Sequence, residues 1–174
     1  TVARVVANGE EIYNRKLTFD EVAKRIEDAY EPYHAALRGL IDETCNRFGH
    51  CIVIDCHSMP SVGGPMDLDP GKRRVDFVLG DCHGTSCAPS LIDAVERHLR
   101  DRGHSVARNN PYAGGFCTQH YGRPRLRRHA LQIEINRALY MDEARIEKAP
   151  QFGALAREMT ELVDTIVRAA KELV

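Results

Sequence analysis

The spacing of apolar and polar positions divides this chain into helices and strands in turn. Residues 1–17 show no strong periodicity. Thr18-Phe19-Asp20-Glu21 then fits a capping box, with Thr at the cap and Glu three residues on. Val22, Ile26, Tyr30, Tyr33, Leu37, Leu40, Ile41, Cys45 and Phe48 hold a helical period after it. Pro32 removes one internal hydrogen bond and predicts a kink, and Gly49 predicts the C-terminal stop. His34 lies near the apolar stripe of this helix and reads as a packing or surface residue.

Cys51–His57 reads as a short buried strand ending on a polar cluster. Its period of two places Val53, Asp55 and His57 on one face. A loop rich in Pro and Gly, residues 58–65, leaves from the His57 end. Val75–Gly80 is a second strand candidate, followed by the loop 81–87. Pro89 suits a first helical turn, and Leu91, Ile92, Val95 and Leu99 make an amphipathic helix closed by Gly103. His104–Asn109 is a third strand, Asn110–Gly115 a turn-rich loop, and Phe116–Tyr121 reads as a short extended piece. Along Ala130–Asn136, Leu131, Ile133 and Ile135 share one strand face and Gln132, Glu134 and Asn136 the other. Beyond Pro150, Phe152, Leu155, Met159, Leu162, Val163, Ile166, Val167 and Ala170 form the stripe of a last helix. Strands alternating with helices predict an α/β layer structure on a mostly parallel or mixed sheet.

Composition narrows the function classes. The 174 residues are within the size of one domain with one core, here 1–174. A formal net charge of -1 argues against binding of nucleic acid or a membrane surface through bulk charge. No apolar run is long enough to span a bilayer, and no secretory signal is visible at the start. The six cysteines are irregularly spaced and are expected as reduced thiols of a cytoplasmic protein. The chain opens at Thr1 without Met, as a processed N-terminus or a fragment would.

Several residues carry candidate chemistry. An acid two positions from an imidazole, Asp55 and His57, can orient the ring of a metal ligand, or His57 is a strand-end residue bonded to a loop. Gly122–Arg128 holds four arginines in six residues. These form a solvated loop or capture carboxylates through guanidinium forks, and they lack the interleaved aromatics of a nucleic-acid site. Glu134 lies on a surface strand or in a partly desolvated cleft, where it would suit a general base. Cys82, His83 and Cys87 could form a structural metal site with His57, although the spacing fits no standard zinc ribbon. A cysteine nucleophile, Cys56 or Cys82 with His83 or His120, is a further alternative.

Read together and in order, several segments resemble the N-formylglutamate amidohydrolase family. They are Asp55-Cys56-His57-Ser58, Gly80–Cys87, Asn110–Gly115, His120–Pro124 and His129–Arg137, with Tyr140–Glu143. The resemblance implies a mixed sheet flanked by helices, similar to zinc carboxypeptidases and aspartoacylases (a phosphorylase/hydrolase-like fold). It implies zinc, with His57 as the later ligand and Glu134 as the glutamate that activates the attacking water. Arg123 and Arg137 would bind the carboxylates of N-formyl-L-glutamate, with Ser58 and Asn110 on the substrate side. His120, Arg123 or Arg137 would stabilise the oxyanion.

The implied activity is hydrolysis of an N-formyl or similar N-acyl amide of an acidic amino acid, within histidine degradation. Members of the family carry an N-terminal Pro-His-Ser-Gly or Pro-His-Ala-Gly segment, where the first zinc ligands are expected. Nothing here matches it, so the chain is expected to correspond to the family's C-terminal part, without that segment. The alternative is a truncated or degenerate relative that binds an acidic metabolite or assembles with another chain. An incomplete sheet edge would favour a homo-oligomer.

Overall fold

The computed structural model describes residues 3–6 and 9–173. α1 (Phe19–Arg25) starts at the capping box. Thr18 Oγ1 accepts from the Glu21 amide at 3.3 Å, and the Glu21 carboxylate accepts from the Thr18 amide at 2.8 Å. A widened turn at Ile26–Tyr30 leads into α2 (Glu31–Phe48), with Pro32 in its first turn. A proline there has no N–H for the carbonyl four residues back, and the turn before it takes up the mismatch by π-type bonding. Gly49, at φ 78°, closes α2 in the left-handed conformation.

Four strands make a mixed sheet in the order β1-β4-β2-β3. They are β1 (Cys51–Met59), β2 (Phe77–Gly80), β3 (Val106–Arg108) and β4 (Arg128–Asn136). β4 pairs parallel with β1 and antiparallel with β2, and β2 pairs parallel with β3. β1 runs two residues past its expected end, because Ser58 and Met59 go on pairing with Ile135 and Asn136. The sheet face of Phe77, Leu79, Leu131 and Ile133 is covered by α3 (Pro89–Arg100) and α5 (Phe152–Ala170). Leu91, Ile92, Val95 and Leu99 pack there against Leu155, Leu162 and Ile166 in one apolar core.

The opposite face carries Val53, Asp55 and His57 beside Ala130, Gln132, Glu134 and Asn136. α4 (Phe116–Tyr121) packs on this side, where the sequence pattern suggests an extended piece. Its buried residues are Thr118 and Tyr121, three apart, a helical spacing that a strand reading misses. Tyr121 joins Ile41 of α2 and Cys51 of β1 in a second, smaller core. His34 is buried in the same place, with Nδ1 2.7 Å from Tyr121 Oη and its ring against Tyr30, Tyr33 and Phe116. It is therefore a packing residue between α2 and α4. A short hairpin, β5 (Met141–Asp142) with β6 (Glu147–Lys148), precedes α5.

Candidate active site

The parallel register of β1 and β4 sets His57 beside Glu134 and Asp55 beside Gln132. Register partners project from the same face of a sheet, so the four polar side chains form one cluster. Asp55 Oδ1 lies 3.0 Å from His57 Nε2, and with Asp55 as carboxylate that nitrogen carries the hydrogen. The other ring nitrogen, Nδ1, lies 3.7 Å from Glu134 Oε1. Gln132 Nε2 donates to the same Glu134 oxygen at 2.8 Å, and Gln132 Oε1 accepts from the Gly115 amide at 2.6 Å. Thr118 of α4 brings its hydroxyl to 3.5 Å from Asp55.

Glu134 is 5% exposed, whereas the His57 side chain is 47% exposed. A carboxyl withdrawn from water thus stands beside an imidazole that solvent reaches. Burial pushes the Glu134 pKa up, and His57 and Gln132 oppose the rise only in part. A carboxylate with a raised pKa, fixed on one oxygen, has the properties of a general base.

Two loops close over this face. Gly80 lets the first approach, because a Cβ there would lie 2.6 Å from the Gly114 nitrogen. The Cys82 amide donates to the Ala113 carbonyl at 2.7 Å and fixes the contact. The second loop brings Arg74, whose side chain is 1% exposed. Its guanidinium donates to Asp67 and Asp69 at 2.7 Å and to the Tyr112 hydroxyl at 2.7 Å. Asn136 Nδ2 donates to the Arg74 and Val75 carbonyls and ties this loop to the end of β4. The sequence reading missed Arg74 and the hydroxyl of Tyr112. The available signal was Asp67 and Asp69 ahead of paired arginines, which does not distinguish Arg74 from Arg73.

The predicted residues separate into two groups. Ser58 and Arg137 meet at the same end of the strands as His57 and Glu134 but on the other face, because Ser58 pairs with Ile135, with Arg137 Nε 3.2 Å from Ser58 Oγ. Arg123 lies at the other end of β4, bridged to Arg128, with its guanidinium on the Gln119 and Gly122 carbonyls at 2.6 and 2.7 Å. Six residues of strand separate Arg128 from Glu134, about 20 Å. His120 stacks on Phe116 at 4.9 Å and meets Tyr121 edge-on. Asn110 lines a 240 Å³ pocket with Arg73, Arg74 and Ala107.

His57 fits one position in a divalent-metal site, since a ligating imidazole commonly carries a carboxylate on its other nitrogen. Among the described residues no group of three or more His, Cys, Asp or Glu converges to hold a metal. They therefore offer one imidazole ligand and not a full set. Cys82, His83, Cys87 and His57 do not come together. Cys87 lies in the apolar core, where burial pushes its thiol up to about 12. Burial also raises the Cys56 and Cys82 thiols, which disfavours the thiolate a nucleophile needs.

Comparison with known proteins gives a consistent picture. The model of a family described as N-formylglutamate amidohydrolase matches residues 1–141. An N-formylglutamate deformylase of Pseudomonas putida is 33% identical over 138 residues, covering 78% of this chain and 51% of that protein. Its counterpart in Pseudomonas aeruginosa is 32% identical over 148 residues, covering 82% and 54%. A crystal structure of N-formylglutamate amidohydrolase from Ralstonia eutropha JMP134 superposes with a TM-score of 0.80 at 44% identity. That match covers 94% of this chain and 57% of the other. The chain thus spans about half the length of the relatives it matches. The mixed α/β fold, a sheet flanked by helices, is common to both structures. Among the described residues no helix is long and apolar enough to cross a membrane.

Proposed function

The chain belongs to the N-formylglutamate amidohydrolase family, and from that premise we propose that its site hydrolyses the N-formyl amide of N-formyl-L-glutamate or a related N-acyl acidic amino acid. The observation that carries this reading is the buried Glu134 carboxyl, with its raised pKa, 3.7 Å from the exposed His57 ring. Glu134 takes a proton from a water held between it and His57, and the water oxygen bonds to the formyl carbon. The carbon–nitrogen bond then breaks, and Glu134 returns the proton to the leaving amine. The products are formate and the free amino acid. Asp55 fixes the tautomer and direction of His57, and Gln132 fixes Glu134. A substrate carboxylate would be met by Arg137, just past the end of β4, once its guanidinium leaves Ser58, which pairs with Ile135 and so faces away from His57 and Glu134.

The same reading takes His57 as one ligand of a zinc ion and relates the fold to zinc carboxypeptidases and aspartoacylases. A divalent ion there would lower the pKa of the attacking water and polarise the formyl carbonyl. The test is formate release from N-formyl-L-glutamate by the purified chain, before and after chelation, with metal content measured on the same samples. Glu134→Gln is expected to lose turnover and keep substrate affinity. Full turnover in that variant would remove Glu134 from the mechanism, and turnover indifferent to chelation would remove the metal.

A further inference from the structure

We propose that Tyr112 is a catalytic residue of this site, donating its hydroxyl hydrogen to the oxygen of the scissile carbonyl, and that the buried guanidinium of Arg74 sets its direction. The inference rests on the hydrolysis proposed above and assigns a group which that reaction requires. The oxyanion formed by attack on an amide needs a hydrogen-bond donor placed in advance. The donors expected from the sequence are engaged or remote. Arg123 is bound to two backbone carbonyls at the far end of β4, His120 stacks on Phe116, and Arg137 points at Ser58.

Tyr112 has the position and the hydrogen. Its loop joins the polar face of β4 at Gln132, through the Gly115 amide at 2.6 Å. Arg74 joins the same face four residues on, where its carbonyl accepts from Asn136 at 3.2 Å. Arg74 and Tyr112 are bonded to each other at 2.7 Å. The pair therefore bridges the interval of β4 in which Glu134 lies. A guanidinium has no acceptor, so in that bond the phenol oxygen accepts and its own hydrogen points away from Arg74. Asp69 takes two of the remaining guanidinium donors and Asp67 shares one, so the fork cannot rotate. Burial raises the Tyr112 pKa, opposed by Arg74 and reinforced by Asp67 and Glu134, so the phenol stays a donor through neutral pH.

The experiment compares Tyr112→Phe, Arg74→Lys and the double variant in formate release from N-formyl-L-glutamate, with thermal unfolding of each. Tyr112→Phe keeps the ring and is expected to lower kcat about 100-fold, in the range for a lost oxyanion donor, with KM within about threefold. Arg74→Lys is expected to lower kcat about tenfold alone and less than about twofold on top of Tyr112→Phe, because it acts through the phenol. A purely structural role for Arg74 would give additive losses that follow the unfolding temperature, and would overturn the orienting role. Tyr112→Phe with kcat within twofold of the parent would overturn the donor role while leaving the proposed reaction standing. A parent chain that releases no formate would overturn the proposed function, and this inference with it.

Discussion

One strand, β4, builds two regions of opposite character. Leu131 and Ile133, 0% and 3% exposed, face α3 and α5. Gln132, Glu134 and Asn136 alternate with them and are 4%, 5% and 5% exposed on the other face. Both sets are equally withdrawn from water. Apolar burial is favourable by itself, about 25 cal/mol per Å². Burial of amides and carboxyls costs free energy unless each finds a partner. Gln132 meets the Gly115 amide, and Asn136 meets the Arg74 and Val75 carbonyls and the Ala138 amide. Among the described residues Glu134 has one hydrogen-bond donor, Gln132, at 2.8 Å, plus an imidazole at 3.7 Å. Its second oxygen has none of these contacts. The group with the fewest of these partners is the one proposed as the general base, as expected where a fold gives up stability for function.

The sharpest way to test this comparison is to change one residue on each face. Glu134→Gln is expected to lower kcat by about 10²–10⁴, the range for a lost general base, while the protein stays folded. Leu131→Ala is expected to cost about 2–5 kcal/mol of stability, because a fully buried side chain leaves a cavity. Its kcat per folded molecule should change far less. Urea unfolding and formate release on both variants measure the two effects. A Leu131→Ala protein that loses turnover as completely as Glu134→Gln, at full stability, would break the division of labour between the faces.

The two faces were unequally legible in the sequence. The period of two in Ala130–Asn136 identified both faces of β4, and the period of two in Cys51–His57 paired Asp55 with His57, now 3.0 Å apart. Amphipathic spacing likewise gave α3 and α5. These signals are local, and a repeat of two or 3.6 residues survives whatever packs on it. The closure of the polar face was not legible. Arg74 meets Tyr112, 38 residues on, and Ser61 meets the carboxylate of Glu143, 82 residues on. No periodicity reports a bond between two loops. Charge density was no better a guide to position: the arginines at 123–128, which read as a solvated loop or as carboxylate captors, stand at the opposite end of β4 from Glu134. The pairing of Cys51 with Arg128, and so of His57 with Glu134, is the fact that orders them, and it exists only in the sheet.

A smaller effect tests how far the polar face depends on loop closure. The loop 110–115 rests on Gly80, where a Cβ would come within 2.6 Å of Gly114 and 2.7 Å of Ala113. Neither backbone can move aside without releasing the Cys82–Ala113 hydrogen bond. Gly80→Ala should therefore lift the loop that holds Tyr112 and Gly115, with a loss of about tenfold in kcat, since small misplacements at a site cost rate before they cost the fold. The apolar face meets β2 through Phe77 and Leu79, which this change does not touch. Stability should fall by about 1–3 kcal/mol, the usual cost of overpacking. Unaltered turnover in a stably folded Gly80→Ala protein would show that the loop does not shape the site.

The smallest predicted effect is one of sign. Burial raises the Glu134 pKa above the ordinary glutamate value of 4.5, which it regains on unfolding. Below about pH 4.5 both states hold the proton, and Glu134 costs nothing. As the pH rises from there, the unfolded chain releases its proton while the folded one retains it, so unfolding is favoured. The favourable contribution of the protonated group is lost as pH passes through the folded pKa, and above that the loss is constant. Glu134→Gln has no proton to lose and keeps an amide that suits the same pocket. The variant should therefore gain in stability relative to the parent from about pH 4.5 upward and then level off. Urea midpoints of both proteins from pH 4 to 8 give the difference, with the titrating groups remote from Glu134 cancelling. If the parent instead gains on the variant as pH rises, the ionised carboxylate is the better-solvated form in the folded protein. The polar face would then carry no stability cost at Glu134, and the contrast with the apolar face would fail at its central residue.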